Sequence, residues 1–215
     1  MSTDLSNYRK SYEKHELLLK DAPANPLELF KRWFHEIDTS FPEIEANAMT
    51  LSTISFDGFP KSRIVLLKEF NTDGFVFYSN YNSDKGQAIL VNPNVCLSFF
   101  WHSAERQVII KGIAEKVDAA TSDDYFSTRP RGSQLGAWAS NQSEIIADRD
   151  VLNNKLKELE LQYKDKDIPR PNHWGGFLIK PTEIEFWQGR PNRLHDRIEY
   201  KLNSDSRWTI NRLAP

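Results

Sequence analysis

The sequence predicts a mainly β protein, an antiparallel β-barrel with peripheral helices. Two observations carry this expectation. Between residues 48 and 79, three strand-like stretches are separated by the turn sequences Phe56-Asp57-Gly58-Phe59-Pro60 and Asn71-Thr72-Asp73-Gly74. Closely spaced strands with tight turns describe an antiparallel meander, which a barrel buries well. Further strand-like stretches follow at 95–101 and 106–117 and again from 174 to 213, with helical spacing confined to a few segments around them.

In chain order, residues 1–20 are polar, carry no sustained apolar period and read as a mobile N-terminal arm. Residues 21–215 form one domain. A helix begins at Asn25-Pro26-Leu27-Glu28, where asparagine caps, proline suits the first helical position and glutamate completes a capping box. Leu27, Phe30, Trp33, Phe34 and Ile37 then recur at helical spacing and form a core-facing stripe. Strands are expected at 48–55, 61–70 and 75–79, and a short helix at 83–91. A helix at 118–128 is closed off by Arg129-Pro130-Arg131-Gly132, because the residue before proline avoids helical dihedrals. A longer helix spans 145–163, with Ile145, Leu152, Leu156, Leu159 and Tyr163 on one face. Strands resume at 174–180, 182–189, 197–202 and 207–213.

Composition excludes several classes. A net charge of −2 argues against a nucleic-acid binder. No apolar run is long enough to span a bilayer, and the first residues lack the basic-then-apolar pattern of a signal peptide. The single cysteine, Cys96, sits in an apolar run, so no internal disulfide or thiolate metal site is expected and a cytoplasmic protein follows. The histidines show no metal-ligand spacing, and no glycine loop that cradles phosphate is present.

Three groups of residues carry candidate chemistry. Arg193, His195 and Arg197 follow the turn at Gly189-Arg190-Pro191-Asn192 and are spaced by two, so an extended backbone points them to one face, with Leu194 and Asp196 on the other. They make a poor core and a good wall for an anionic ligand; a solvated strand face is equally open. Arg63-Ile64-Val65-Leu66-Leu67-Lys68 reads as a strand buried on both faces, with its two cations on opposite faces. A core strand with solvated ends remains open there. Tyr125 and Arg129 share one helix face, with Ser133 beyond the proline, and such a set can hold a phosphate dianion, although an arginine-rich surface turn is the commoner arrangement. Lys85, at the start of the 83–91 helix, suits a phosphate anchor.

The pattern Ile184-Glu185-Phe186-Trp187-Gln188, four residues, then Arg193-Leu194-His195-Asp196-Arg197 resembles the signature of the pyridoxine/pyridoxamine 5′-phosphate oxidase family, and the likeness runs from Tyr8 to Pro215. The resemblance implies an FMN-binding split barrel that forms a homodimer with FMN in a cleft between subunits. It implies oxidation of pyridoxamine and pyridoxine 5′-phosphates to pyridoxal 5′-phosphate, with hydride passing to the flavin and dioxygen reduced to hydrogen peroxide. FMN would be bound by the Arg63–Lys68 strand (Arg63, Ile64, Val65, Leu66, Leu67, Lys68), and by Tyr78, Ser79, Lys85, Gln107, Gln142, Ser143, Trp187 and Arg197. Ser143 could instead cap the long helix. Lys68, Tyr125, Arg129 and Ser133 would grip the substrate phosphate. Arg193 and His195 would be catalytic, with Leu194 beside them, and Arg9 and Tyr12 would reach the substrate from the arm. One departure stands out: Asp84 occupies a place where the family pattern has arginine. Two alternatives stay open, another split-barrel flavin reductase and a non-enzymatic binder of FMN or pyridoxal phosphate.

Overall fold

The computed structural model describes residues 3–215. Asn25 starts the first helix, α1 (Pro26–Ser40): its side chain accepts from the Leu27 N–H at 3.0 Å, and Pro26 needs no partner for a missing N–H. α1 buries Leu29, Phe30, Trp33 and Ile37. Leu29 takes the core position expected of Leu27.

The strands are β1 (Ala48–Ile54), β2 (Pro60–Asn71), β3 (Gly74–Asn80), β4 (Asn94–Trp101), β5 (Arg106–Lys116), β6 (Trp174–Gln188), β7 (Asp196–Leu202) and β8 (Trp208–Leu213). Their order is β3-β2-β1-β4-β5-β6-β7-β8, and β3 also pairs with β6. That extra pairing closes six strands into the expected antiparallel barrel, leaving β7 and β8 as an extension beyond β6. The two strands expected at 174–180 and 182–189 are one, because Pro181 removes an N–H without ending the pairing.

The helices between strands are α2 (Asp84–Val91), α3 (Ala119–Thr128), α4 (Arg131–Ala139) and α5 (Asp150–Gln162). α4 falls where the sequence pointed to a helix end and no new helix was expected. Pro130 stops α3 but stands as the N-cap of α4, a place where proline is tolerated, and Leu135 anchors the new helix in the core. α5 begins later than residue 145, since Ile145 is fully exposed and Asp148 accepts from the N–H groups of Asp150 and Val151.

Two compact units share these elements. One holds the segment ending at Thr50 with Leu97–Lys111 and Pro181–Pro215; the other holds Leu51–Cys96 and Gly112–Lys180. The first is centred on aromatic packing: Phe186 is fully buried, with Trp33 edge-on at 5.3 Å and Tyr200 at 5.7 Å. Phe186→Ala is expected to destabilise the protein by about 3–5 kcal/mol, measured as a lower urea midpoint with an unchanged slope. The second packs Phe126, Leu135, Leu159, Ile168 and Trp174 together.

β2 departs from its expected burial. Of the apolar run, Leu67 is buried while Ile64 is 66% exposed. A bulge between Leu67 and Glu69 breaks the register with β3.

Candidate active site

The second unit contains a cavity of about 660 Å³. One wall is the exposed side of β2, from Ile64 to Leu66 with Lys68; Tyr78 and Ser79 of β3 and Lys85 of α2 continue it. The opposite wall is built where α3 gives way to α4, by Tyr125, Thr128, Arg129 and Ser133, and Gln142 closes it. Eleven of the sequence-expected residues (Ile64, Val65, Leu66, Lys68, Tyr78, Ser79, Lys85, Tyr125, Arg129, Ser133 and Gln142) therefore line one space. Leu67 does not, because its side chain lies in the core.

Arg129 is the distinctive group. Its guanidinium lies 4.4 Å from the centre of the Trp174 ring, and its Nη1 is buried with no hydrogen-bond partner among the described residues. Burial holds its pKa below the ordinary arginine value. A desolvated cation with an unused donor calls for an anion. Around it, Tyr78, Tyr125 and Trp174 stack, with Tyr78 and Tyr125 centroids 3.9 Å apart and 17° between planes. Burial pushes the Tyr78 phenol up to about 12 and raises that of Tyr125, so both keep their protons and can donate. Trp174 was missed by sequence reasoning; an aromatic opening a strand gives no signal of its own.

At the start of α2, Ser83 is the N-cap, accepting from Gly86 N–H. Lys85 donates to Gln142 Oε1 at 2.9 Å and to Ser83 Oγ at 3.2 Å. Burial, with the nearby Arg63 charge, lowers its pKa to about 8. Asp84 pairs with Lys61, which lowers its pKa. Ser143 does not cap the long helix; at φ +78° it accepts instead from the Asp84 N–H at 3.2 Å. Arg63 does not line the cavity but donates to Thr53 Oγ1 at 2.8 Å and to the Leu51 carbonyl.

The second cluster lies in the first unit. Arg193 is not on the strand that the spacing of two implied. Asn192 and Arg193 are both left-handed (φ +57° and +63°) in a short 3₁₀ turn, and β7 starts only at Asp196. The alternation holds from His195 onward: Asp196, Ile198 and Tyr200 point inward, His195 and Arg197 the other way. Arg193 is exposed and forms no hydrogen bond or ion pair among the described residues. His195 Nδ1 accepts from the Arg190 N–H at 3.1 Å, which leaves Nε2 as the protonated nitrogen. Burial and the Arg193 charge lower its pKa, so the ring stays neutral. Its ring lies 4.6 Å from Trp187 and 6.0 Å from Tyr12. Arg197 is held bidentate by Glu185 at 2.8 and 3.0 Å, which raises its pKa and balances its charge. Gln107 is half-buried on β5 in this unit. The arm is exposed through Ser11, including Arg9, which donates to the Ser6 carbonyl.

Residues 35–163 match the family model described as pyridoxamine 5′-phosphate oxidase, and residues 174–215 match that of the pyridoxine 5′-phosphate oxidase C-terminal dimerisation region. The chain belongs to the pyridoxamine 5′-phosphate oxidase family. Curated members named Pyridoxine/pyridoxamine 5′-phosphate oxidase include one from Flavobacterium johnsoniae, 62% identical over 98% of this chain and 99% of that protein. Another, from Christiangramia forsetii, is 54% identical over the whole of both. Among solved structures, PhzG from Burkholderia lata in complex with tetrahydrophenazine-1-carboxylic acid is 27% identical, covers 94% of this chain and 100% of that one, and superposes with a TM-score of 0.87. A pyridoxamine 5′-phosphate oxidase-related FMN binding protein from Nostoc punctiforme shares the fold at 14% identity over 90% of this chain and 100% of that one, with a TM-score of 0.70. Among the described residues no helix is long and apolar enough to cross a membrane, and no cluster of three or more His, Cys, Asp or Glu could hold a metal.

Proposed function

We propose that this oxidase takes pyridoxamine and pyridoxine 5′-phosphates to pyridoxal 5′-phosphate with FMN as cofactor, as a cytoplasmic homodimer in which residues of both subunits build each site. One observation carries the substrate assignment: the buried, unpartnered Nη1 of Arg129, in a cavity shared with Lys68, Tyr125 and Ser133. Two cations and two hydroxyl donors suit a phosphate monoester dianion.

The other half of the cavity fits FMN. Lys85, partly buried beside Gln142 in the first turn of α2, suits its phosphate, and the apolar run from Ile64 to Leu66 offers a wall for its ring. Tyr78, Ser79, Ser143 and Arg63 would help hold the cofactor in this reading, and Gln107, Trp187 and Arg197 of one subunit or the other would bind its ring. When bound, FMN supplies the two-electron acceptor and returns the electrons to dioxygen as hydrogen peroxide.

The chain's own groups hold the substrate in reacting geometry. Lys68, Tyr125, Arg129 and Ser133 fix the phosphate, which sets the C4′ carbon at one position. Neutral His195 donates through Nε2 to an oxygen on the pyridine ring, Arg193 lies against that ring, and Leu194, Tyr12 and Arg9 border it. Exposed Phe56, Phe59 and Ile64 are large apolar side chains that a dimer contact would cover. FMN uptake by the purified protein, followed by peroxide release on adding pyridoxamine 5′-phosphate, tests the assignment; protein that takes up no FMN removes it.

The Lys85 pKa gives a pH signature. An anion bound beside a lysine favours its charged form, so above about 8 the free protein must take up a proton to bind phosphate. The FMN dissociation constant is expected to be flat from about pH 7 to 8, where the phosphate stays a dianion, and to rise above 8 by up to about tenfold per pH unit. Lys85→Met should bind more weakly and lose that slope, as read by flavin fluorescence titration.

A further inference from the structure

The N-terminal arm is pinned by buried carboxylates that no role above uses. Glu105 is 2% exposed, and its Oε2 accepts the N–H groups of Glu13 (2.8 Å) and Lys14 (3.1 Å). Lys14 Nζ adds a bond to the Ser103 carbonyl. Asp196, 5% exposed, accepts the Leu17 N–H at 3.0 Å through Oδ2 and pairs with Arg212 through Oδ1. Arg190 reaches the arm from the other side, donating to Glu16 at 3.2 Å and to the His15 carbonyl.

A buried carboxylate is costly unless its oxygens are satisfied, and backbone N–H groups are the donors used here. Glu105 also lies in the left-handed region at φ +56°, an unfavourable setting for a long side chain. Its carbonyl accepts the Gly189 N–H at 2.8 Å. One residue thus holds both the arm, through its side chain, and the Gly189 turn, through its backbone.

Between those two anchor points sits Tyr12. A Cβ on Gly189 would lie 2.7 Å from Tyr12 Cβ and Cδ2, too close for any real contact. Gly189 needs no positive φ, so the missing side chain serves the approach of Tyr12. The tyrosine ring then stands edge-on to Trp187 at 5.8 Å and 6.0 Å from His195.

We propose that Glu105 is a positioning residue for the reaction: its carboxylate clamps the arm and its carbonyl fixes the Gly189 turn, so that Tyr12 is set against His195 before substrate arrives. Asp196 is the second anchor, at Leu17. The clamp itself stands on the contacts above; its effect on substrate rests on the role proposed for Tyr12.

The test compares wild-type, Glu105→Ala, Glu105→Gln and Gly189→Ala proteins, all loaded with FMN. In Glu105→Ala, hydrogen exchange at the Glu13 and Lys14 amides is expected to quicken by about tenfold or more. KM for pyridoxamine 5′-phosphate should rise about tenfold with kcat within about threefold. FMN affinity and exchange in the barrel strands should not move, and Glu105→Gln, which keeps an acceptor oxygen, should recover part of both effects. Gly189→Ala should raise KM with the arm amides still protected. Unchanged exchange in Glu105→Ala overturns the clamp, and quickened exchange with KM unmoved overturns its positioning role. If Glu105→Ala does not fold, Glu105→Gln and Gly189→Ala decide: no change in KM in either overturns the proposal. Absence of turnover in wild-type protein would sink the substrate assignment, while the exchange data would still judge the clamp.

Discussion

Arg129→Met is expected to raise KM for pyridoxamine 5′-phosphate by roughly 100-fold or more and to leave the fold at least as stable. The two halves of that result come from the same atom. Nη1 of Arg129 is buried and has no partner among the described residues, and the guanidinium rests on Trp174. Hydrogen bonds to charged groups are worth about 1.5–3 kcal/mol each, so losing two on the phosphate costs about two orders of magnitude or more in affinity. Replacing a half-buried cation whose Nη1 has no partner by an apolar chain that still packs on Trp174 costs the free protein nothing comparable. Steady-state kinetics and urea unfolding on one preparation check both halves. A stability loss with KM unchanged would assign Arg129 to packing instead.

Arg193→Ala is expected to lower kcat/KM by roughly 100-fold, the scale for losing a group that holds the reacting ring in position, while FMN stays bound. Its backbone supports a functional reading. Asn192 and Arg193 are left-handed in succession, and for arginine that is a strained setting with no hydrogen bond or ion pair to its side chain among the described residues. Strain of this kind is kept where a side chain must be aimed. Unchanged turnover in Arg193→Ala would remove that role, and loss of flavin would point to a structural one.

The barrel strands were legible because their turns are written in Asp57-Gly58 and Asp73-Gly74, while residues 61–70 misled as to burial. A run of Ile, Val and Leu reads the same whether it faces a core or a ligand cavity, and Ile64 to Leu66 face the cavity. α4 was hidden because Arg129-Pro130 marks an end and only the fold reveals a beginning. Residues 145–149 look helical by composition, yet nothing in their own unit buries Ile145. In the candidate site, Tyr125 and Arg129 do line one cavity, although Arg129 is the extended C-cap of α3 and not a helical residue sharing its face. The spacing of Arg193, His195 and Arg197 did not put all three on one strand face, because alternation presumes an extended chain and the turn at Pro191–Arg193 is not extended. Glu105 and Asp196 were invisible as anchors, since the N–H groups they hold come from 91 or more residues away. Asp196 alone left a trace, as a carboxylate at the inward positions of β7 beside Ile198 and Tyr200.

Peroxide release by the FMN-loaded protein, compared between pyridoxamine 5′-phosphate and pyridoxamine itself, tests the assigned phosphate grip most directly. Rapid release with the phosphate ester and release at least about 100-fold slower with the free amine are expected if Lys68, Tyr125, Arg129 and Ser133 hold that group. Equal rates with both compounds, or peroxide from neither, would contradict it.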